Sequence, residues 1–308
     1  MYTRNKSVIG IILLVVILVV ALSACVQKVE KPAVIESAVV VDSVASEDGV
    51  MIYYDVQGEG DRTLVFVHGW SCDRSYWDGQ VSNLAPDFRV VTIDLGGHGQ
   101  SGLGRDAWTM SAFGADVAAV VTKLDLHDII LIGHSMGGPV CIEAVRRLPG
   151  KVTAIVGVDN FQSFASNLTP EQVDGFVANF MPDFETTTVQ FVNAMFPEGT
   201  DTALVGRISR DMASAPREVG ISAIAYTVSY DYKSALADMR RPIRTISSDK
   251  HPTNVELNKQ IAASFEVRLI PGSSHFPQLE NPDNFNRLLR ETISEFWPGT
   301  EVPPTETN

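Results

Sequence analysis

Four consecutive apolar residues, Ile129-Ile130-Leu131-Ile132, run without a break into Gly133-His134-Ser135-Met136-Gly137, and a helical pattern follows at once over Met136 to Leu148. No other feature of the sequence restricts its fold so much. A short apolar run of this kind reads as a strand buried on both faces. A strand that becomes a helix within a few residues places the residue at the tip in strained backbone. Glycines on either side remove the Cβ atoms that would clash with the neighbouring strand and helix. The hydroxyl of Ser135 then stands clear of the sheet, and the helix N-terminus behind it favours developing negative charge. A Gly-x-Ser-x-Gly match carries little alone; the strand, turn and helix around it make Ser135 a candidate nucleophile.

The rest of the chain fits such a strand. Ala38 to Ser43 and Met51 to Val56 read as an opening antiparallel hairpin turned at Glu47-Asp48-Gly49. Thr63 to Val67, Val90 to Ile93, Ile129 to Ile132, Val152 to Val158, Ile243 to Ser247 and Phe265 to Ile270 read as later strands. Helical stretches over Met110 to Leu124, Met136 to Leu148 and Pro282 to Phe296 alternate with them. This order predicts an α/β fold, a mostly parallel sheet with helices on both faces. Between Phe161 and about Ala237 the alternation stops. That stretch is helical and irregular, with Phe164, Phe176, Phe180, Met181, Phe184, Phe191, Met195 and Phe196 scattered through it.

The formal net charge of −13 gives no support to nucleic-acid binding, which wants a basic face. Three cysteines are too few for a disulfide scaffold, and neither Cys72 nor Cys141 shows a metal-ligand spacing. Those two can pair after export or stay as buried thiols, the commoner case.

The third cysteine ends an export segment. Arg4 and Lys6 precede an uncharged, almost wholly apolar run from Val8 to Leu22, a little short for a transmembrane helix and arranged like a secretory signal. It ends in Leu22-Ser23-Ala24-Cys25, which resembles the lipobox of bacterial lipoproteins. That resemblance implies diacylglycerol attachment to the Cys25 thiol and cleavage before it, with residues 1–24 as signal peptide. Burial of about 0.8 kcal/mol per methylene makes several acyl chains a stable membrane anchor. Residues 25–37 then read as a lipidated tether, 38–297 as the catalytic domain, and 298–308, rich in Pro, Thr and Glu, as a disordered tail. An uncleaved N-terminal anchor is the alternative, and it too places the domain outside the cytoplasm.

Four segments together resemble the α/β-hydrolase superfamily, in its compact bacterial esterase, haloperoxidase-like and C–C hydrolase branch, from about Ala38 to Trp297. Val67-His68-Gly69-Trp70 matches the family's oxyanion loop, and Asp94-Leu95-Gly96-Gly97-His98-Gly99-Gln100-Ser101 its D-x-R-G-H-G-x-S loop. Gly96 stands where that motif commonly has Arg, a departure expected to loosen a structural contact. Gly133 to Gly138 is the elbow, and Gly272-Ser273-Ser274-His275-Phe276-Pro277 resembles the late loop that carries the histidine. The family's sheet has eight strands, and the stretch at about 161–237 falls where it carries a helical cap. Most aromatics there are expected to form the cap's own core, and some to face the cavity.

A serine hydroxyl needs a base beside it. Of the six histidines, His275 alone follows the last strand, where the family's base sits. His68, His98 and His134 belong to motifs whose histidines have structural roles, and His127 and His251 are expected at the surface. The resemblance implies an acid just past the strand Ile243 to Ser247, which is Asp249, with Asp159 at the end of the preceding strand, where some of the family carry it, as its rival. The resemblance implies backbone N–H groups of Trp70 and Met136 as the oxyanion hole, and Phe276 and Phe161 are candidate pocket residues. No metal or organic cofactor is implied. The expected activity is serine hydrolysis of a small-molecule carboxylic ester through an acyl-enzyme. The same triad supports C–C bond, lactone or amide hydrolysis and cofactor-free perhydrolysis. Outside enzymes, a tethered ligand sensor using the same pocket stays open.

Overall fold

Each apolar run expected to pair becomes a strand of one sheet in the computed structural model, which describes residues 39–165 and 168–298. The signal segment, Cys25, the tether and nearly all of the tail lie outside the described residues. The strands are β1 (Val40–Ala45), β2 (Met51–Gln57), β3 (Thr63–Val67), β4 (Arg89–Ile93), β5 (Ile129–His134), β6 (Val152–Val158), β7 (Ile243–Ser248) and β8 (Phe265–Ile270). They lie in the order β1-β2-β4-β3-β5-β6-β7-β8. The hairpin and its join to β4 are antiparallel and every later pairing is parallel. The carboxyl ends of β3 to β8 therefore open on one edge, where α/β sheets place their ligands.

Alternation along the central strands explains why they read as continuous apolar runs. Val65, Val67, Ile129 and Leu131 face one cluster, with Phe113, Val117 and Val140 from the helices α2 (Met110–Lys123) and α3 (Gly137–Arg147). Leu64, Phe66, Ile130 and Ile132 face the opposite one, with Val81, Leu84, Phe285 and Leu289 from α1 (Asp78–Leu84) and α11 (Pro282–Phe296). Each such side chain contributes about 1.5–3 kcal/mol when taken from water. The short helix α1 has no strong apolar period and was not anticipated from the sequence.

Between β6 and β7 the chain builds a cap of five helices, α4 (Pro170–Ala178), α5 (Phe184–Met195), α6 (Thr202–Ala213), α7 (Arg217–Val228) and α8 (Tyr232–Leu236). Two further short helices, α9 (Val255–Ile261) and α10 (Pro277–Glu280), flank β8. Thr169, Asp183 and Asp201 cap three of the cap helices by accepting from backbone N–H groups of the first turn.

The departure at Gly96 has a counterpart nine residues on. The Arg105 side chain, 3% exposed, sends Nη2 to Asp116 Oδ1 at 2.7 Å and Nε to Asp48 Oδ2 at 2.7 Å. Its guanidinium also lies 5.1 Å from the Trp108 ring centroid. A Cβ on Gly96 would stand 3.1 Å from both Arg105 Nη1 and Asp116 Oδ2. The space beside Gly96 is thus occupied by the Arg105 guanidinium and its partner Asp116. Arg105→Met strands the buried Asp116 carboxylate, and a loss of about 3–5 kcal/mol in urea unfolding is expected. The double variant with Asp116→Leu should recover part of it; a single-variant loss below about 1 kcal/mol would contradict a buried, functioning pair.

Candidate active site

Ser135 sits at φ +49°, in the left-handed region that a residue with a side chain rarely holds. The strain is held from outside the elbow. Ser135 N–H donates to Val158 O at 3.0 Å, and Asn160 Nδ2 donates to Gly133 O at 2.8 Å and Ser135 O at 3.2 Å. The glycines are needed by contact: a Cβ on Gly133 would lie 2.3 Å from Gly137 O, and one on Gly137 2.5 Å from Val67 O.

His275 reaches the elbow from the loop after β8. Its Nε2 lies 2.9 Å from Ser135 Oγ, and its Nδ1 lies 2.7 Å from Asp159 Oδ2. The carboxylate beside the imidazole is therefore Asp159, and the expectation of Asp249 is corrected. β7 ends at Ser248, whose N–H and hydroxyl both donate to Asp159 Oδ1 at 2.8 Å. The next residue, Asp249, lies past the end of the strand, where the chain has left the sheet. It is exposed, and its Oδ1 accepts from Gly272 N at 3.1 Å, steadying the loop that leads to His275. Asp159 itself stands at φ +45°, with its side chain 1% exposed. Burial alone would raise its carboxyl; the His275 imidazole and the Ser248 donors outweigh that and hold it below the usual carboxylate range.

Three supporting residues were given no role by the sequence. Asn160 and Ser248 are two, and the third is Glu280, which accepts from Ser274 N, Ser274 Oγ and Phe276 N and so fixes the backbone on both sides of His275. The nearest signal was position: each is a polar residue at a strand end or just past the histidine. His134 Nε2 lies 2.7 Å from the His275 carbonyl and ties the elbow to the same loop. His68 bridges two loops, its Nδ1 to Gly69 O at 2.8 Å and its Nε2 accepting from Leu95 N at 3.0 Å. His127 and His251 are exposed, as expected, though His251 also stands at the rim of the cavity.

The loop after β3 passes directly over the serine, since a Cβ on Gly69 would lie 3.3 Å from Ser135 Cβ. Met136 precedes α3, with its N–H at the positive end of that helix. Above them opens a cavity of about 630 Å³ that contains Ser135, Asp159 and His275. Both candidate pocket residues, Phe161 and Phe276, line it, with Trp70 and, from the cap, Phe176, Phe191 and Met195. Phe180 and Phe184 pack against Trp70, Phe196 stacks on Phe276 at 5.6 Å, and Met181 is exposed. Cys72 and Cys141 are free and buried, and burial pushes both thiols up. The arrangement is a hydroxyl beside an imidazole that a buried carboxylate orients, open to an apolar chamber. It can deliver an activated oxygen nucleophile to an acyl carbon.

Known proteins share this plan. Residues 62–282 match the family described as alpha/beta hydrolase fold. A pimeloyl-[acyl-carrier protein] methyl ester esterase of Sodalis glossinidius is 32% identical over 256 residues, 78% of this chain and 96% of that protein. The protein of the same name from Nitrosospira multiformis is 27% identical over 252 residues, 77% of this chain and 95% of its own length. Among solved structures, bromoperoxidase from Bacillus anthracis aligns with a TM-score of 0.72 at 20% identity, covering 83% of this chain and all (100%) of that one, a likeness of fold.

Burial also sets how the fold responds to acid. His68, His98 and His134 are wholly enclosed, and burial pushes their imidazoles down to about 4, about 3 and about 3. An unfolded histidine titrates near 6.5, so below that pH the unfolded chain binds protons that the native state refuses. Each histidine then removes up to about 1.4 kcal/mol of stability per pH unit until its folded value is reached. Asp94 and Asp116, whose carboxyls burial raises, pull the other way nearer the carboxylate range. The melting temperature is expected to hold steady down to about pH 6.5 and fall steeply by about pH 5; a flat profile across that interval would contradict three enclosed neutral imidazoles.

Proposed function

The chain belongs to the α/β-hydrolase family and is a carboxylesterase-like hydrolase, and we propose that it cleaves carboxylic esters through an acyl-enzyme on a Ser135-His275-Asp159 triad. The observation that carries this reading is the continuous contact from Ser135 Oγ to His275 Nε2 at 2.9 Å and from His275 Nδ1 to Asp159 Oδ2 at 2.7 Å. His275 Nε2 takes the Ser135 proton as Oγ attacks the ester carbonyl. The oxyanion of the tetrahedral intermediate accepts from the backbone N–H groups of Trp70 and Met136. The imidazolium, stabilised by the ionised Asp159, then gives its proton to the departing alkoxide. Water activated through His275 releases the acid and restores Ser135.

An apolar chamber lined by Phe161, Phe176, Phe191 and Met195 suits a hydrocarbon acyl group. The action of the similar proteins on a methyl ester supports an ester as the substrate. With p-nitrophenyl butyrate, Ser135→Ala should abolish turnover and fluorophosphonate labelling. Asp159→Asn should lower kcat by about 10³–10⁴-fold, because the amide oxygen stays with the two Ser248 donors and the NH2 group then faces His275 Nδ1, holding the imidazole in the wrong tautomer. Asp249→Asn should stay within about twofold, since an amide oxygen still accepts from Gly272. The reverse ranking of the two aspartates would overturn the assignment.

We also propose that this domain is exported and tethered through acylation of Cys25, on the strength of the Arg4-Lys6 charge, the apolar run to Leu22 and the Leu22-Ser23-Ala24-Cys25 sequence. In a bacterial host, Cys25→Ala should leave an unprocessed precursor or release the protein from the membrane fraction. Normal size and unchanged membrane association of that variant would sink the proposal.

A further inference from the structure

Trp70 is bound by the cap more closely than enclosure of a substrate requires. Its indole is 3% exposed, and Nε1 donates to Gly220 O of α7 at 2.7 Å. Three phenylalanines from the cap meet the same ring edge-on, each at 78°: Phe180, Phe184 and Phe191, with centroids 5.6, 6.0 and 5.9 Å away. Gly220 allows this closeness, since a Cβ there would lie 2.3 Å from the Phe184 ring. On its other side Trp70 belongs to a tight turn. Cys72 N donates to Gly69 O at 3.3 Å, the Cys72 thiol donates to Trp70 O at 3.4 Å, and Ser71 stands at φ +54°.

The cap has other hydrogen bonds to the base. Trp108 N donates to Ser222 Oγ, Tyr230 hydroxyl to Glu143 Oε1, and Lys250 Nζ to Met195 O. None of these ends on residues 67–72. Among the described residues, the Trp70 side chain is where a cap hydrogen bond reaches the loop that lies over Ser135.

We propose that the Trp70 indole is a positioning group through which the seated cap aims the Trp70 N–H at the oxyanion, so that the cap contributes to the chemical step as well as to enclosure. This rests on the reading of Ser135 as nucleophile and Trp70 N–H as oxyanion donor. The physical reason is short-range. Indole and N–H share one Cα, and the left-handed Ser71 leaves the turn little freedom to adjust behind it. Fixing the ring plane between α5 and α7 therefore fixes the direction of the N–H. A donor that must meet a developing charge loses most of its value if the backbone behind it drifts by about an ångström.

The test uses p-nitrophenyl acetate, whose acyl group is too short to need the chamber beneath α5, with rates counted per fluorophosphonate-titrated Ser135 so that misfolded protein does not enter. Trp70→Phe removes the Nε1 donor, and Phe184→Leu loosens the cap side of the clamp. Each should lower kcat by about tenfold or more with KM within about twofold, and weaken a trifluoromethyl ketone, which forms an oxyanion on the serine, by a similar factor. The double variant should fall little below the worse single one, because both break one clamp. Tyr230→Phe, which cuts the cap's tether to Glu143, should leave acetate turnover near wild type. Unchanged acetate kcat in Trp70→Phe and Phe184→Leu, or an equal loss in Tyr230→Phe, overturns the coupling while leaving the esterase reading standing. A wild-type chain that neither labels nor turns over ester removes the underlying reading and the coupling with it.

Discussion

Everything in the site depends on holding one residue, Ser135, in a backbone conformation it would not choose. A left-handed residue of this kind costs about 1–3 kcal/mol and persists only where its surroundings over-determine it. Here the determination comes from the next strand. Val158 O receives the Ser135 N–H, and Asn160 grips carbonyls on both sides of the turn. The same end of β6 carries Asp159 and Phe161, each with positive φ, and is itself anchored on β7 through Asp159 N to Ile246 O at 3.0 Å. Ser135 and Asp159 are thus fixed by one lattice of strand ends, and the His275 imidazole is lowered between them from a loop tied to Glu280 and His134.

Holding that lattice still requires the loops around it to be rigid, and buried polar groups do this. Asp94 accepts from Arg74 N and Gln100 N, both at 2.8 Å, and pairs with the Arg74 guanidinium, joining the loop after β3 to the loop after β4. His68 makes a second tie between the same loops. Each group is taken from water, so each is useful only while fully partnered, and the neutral form is the one these histidines can keep. Rigidity of the loop after β3 and sensitivity to acid therefore have one cause.

Much of this was legible in the residues, and the exceptions have physical reasons. A fully buried strand announces itself by four apolar residues in a row, and the elbow by glycines where backbone must approach backbone. His275 could be found by its place after the last strand. Asp249 and Asp159 could not be separated by place, because both stand at strand ends of the right sheet edge. What separates them is the direction in which β7 releases its chain: Ser248 faces Asp159 and Asp249 faces away. Ser248 is the last residue of β7 and Asp249 the first beyond it, a boundary one residue finer than the pattern resolves. The cap was visible only as an interruption. Its helices follow tertiary packing, although Thr169, Asp183 and Asp201 mark three of their starts by ordinary N-capping.

The cap's aromatics show why its sequence resists a simple division into core and pocket. Phe191 lines the chamber and also meets the Trp70 ring, while Phe196 lies stacked on Phe276, which itself touches the His275 ring at 5.3 Å. A side chain there serves packing, enclosure and the seating of the loops beneath at once. A substitution at such a position must also leave the loop after β3 in register, since a ring that changes its place in the chamber gives up a contact to Trp70 as well. Specificity in this chain is therefore free to change where a chamber residue touches neither Trp70 nor Phe276, and constrained where it touches both chamber and loop.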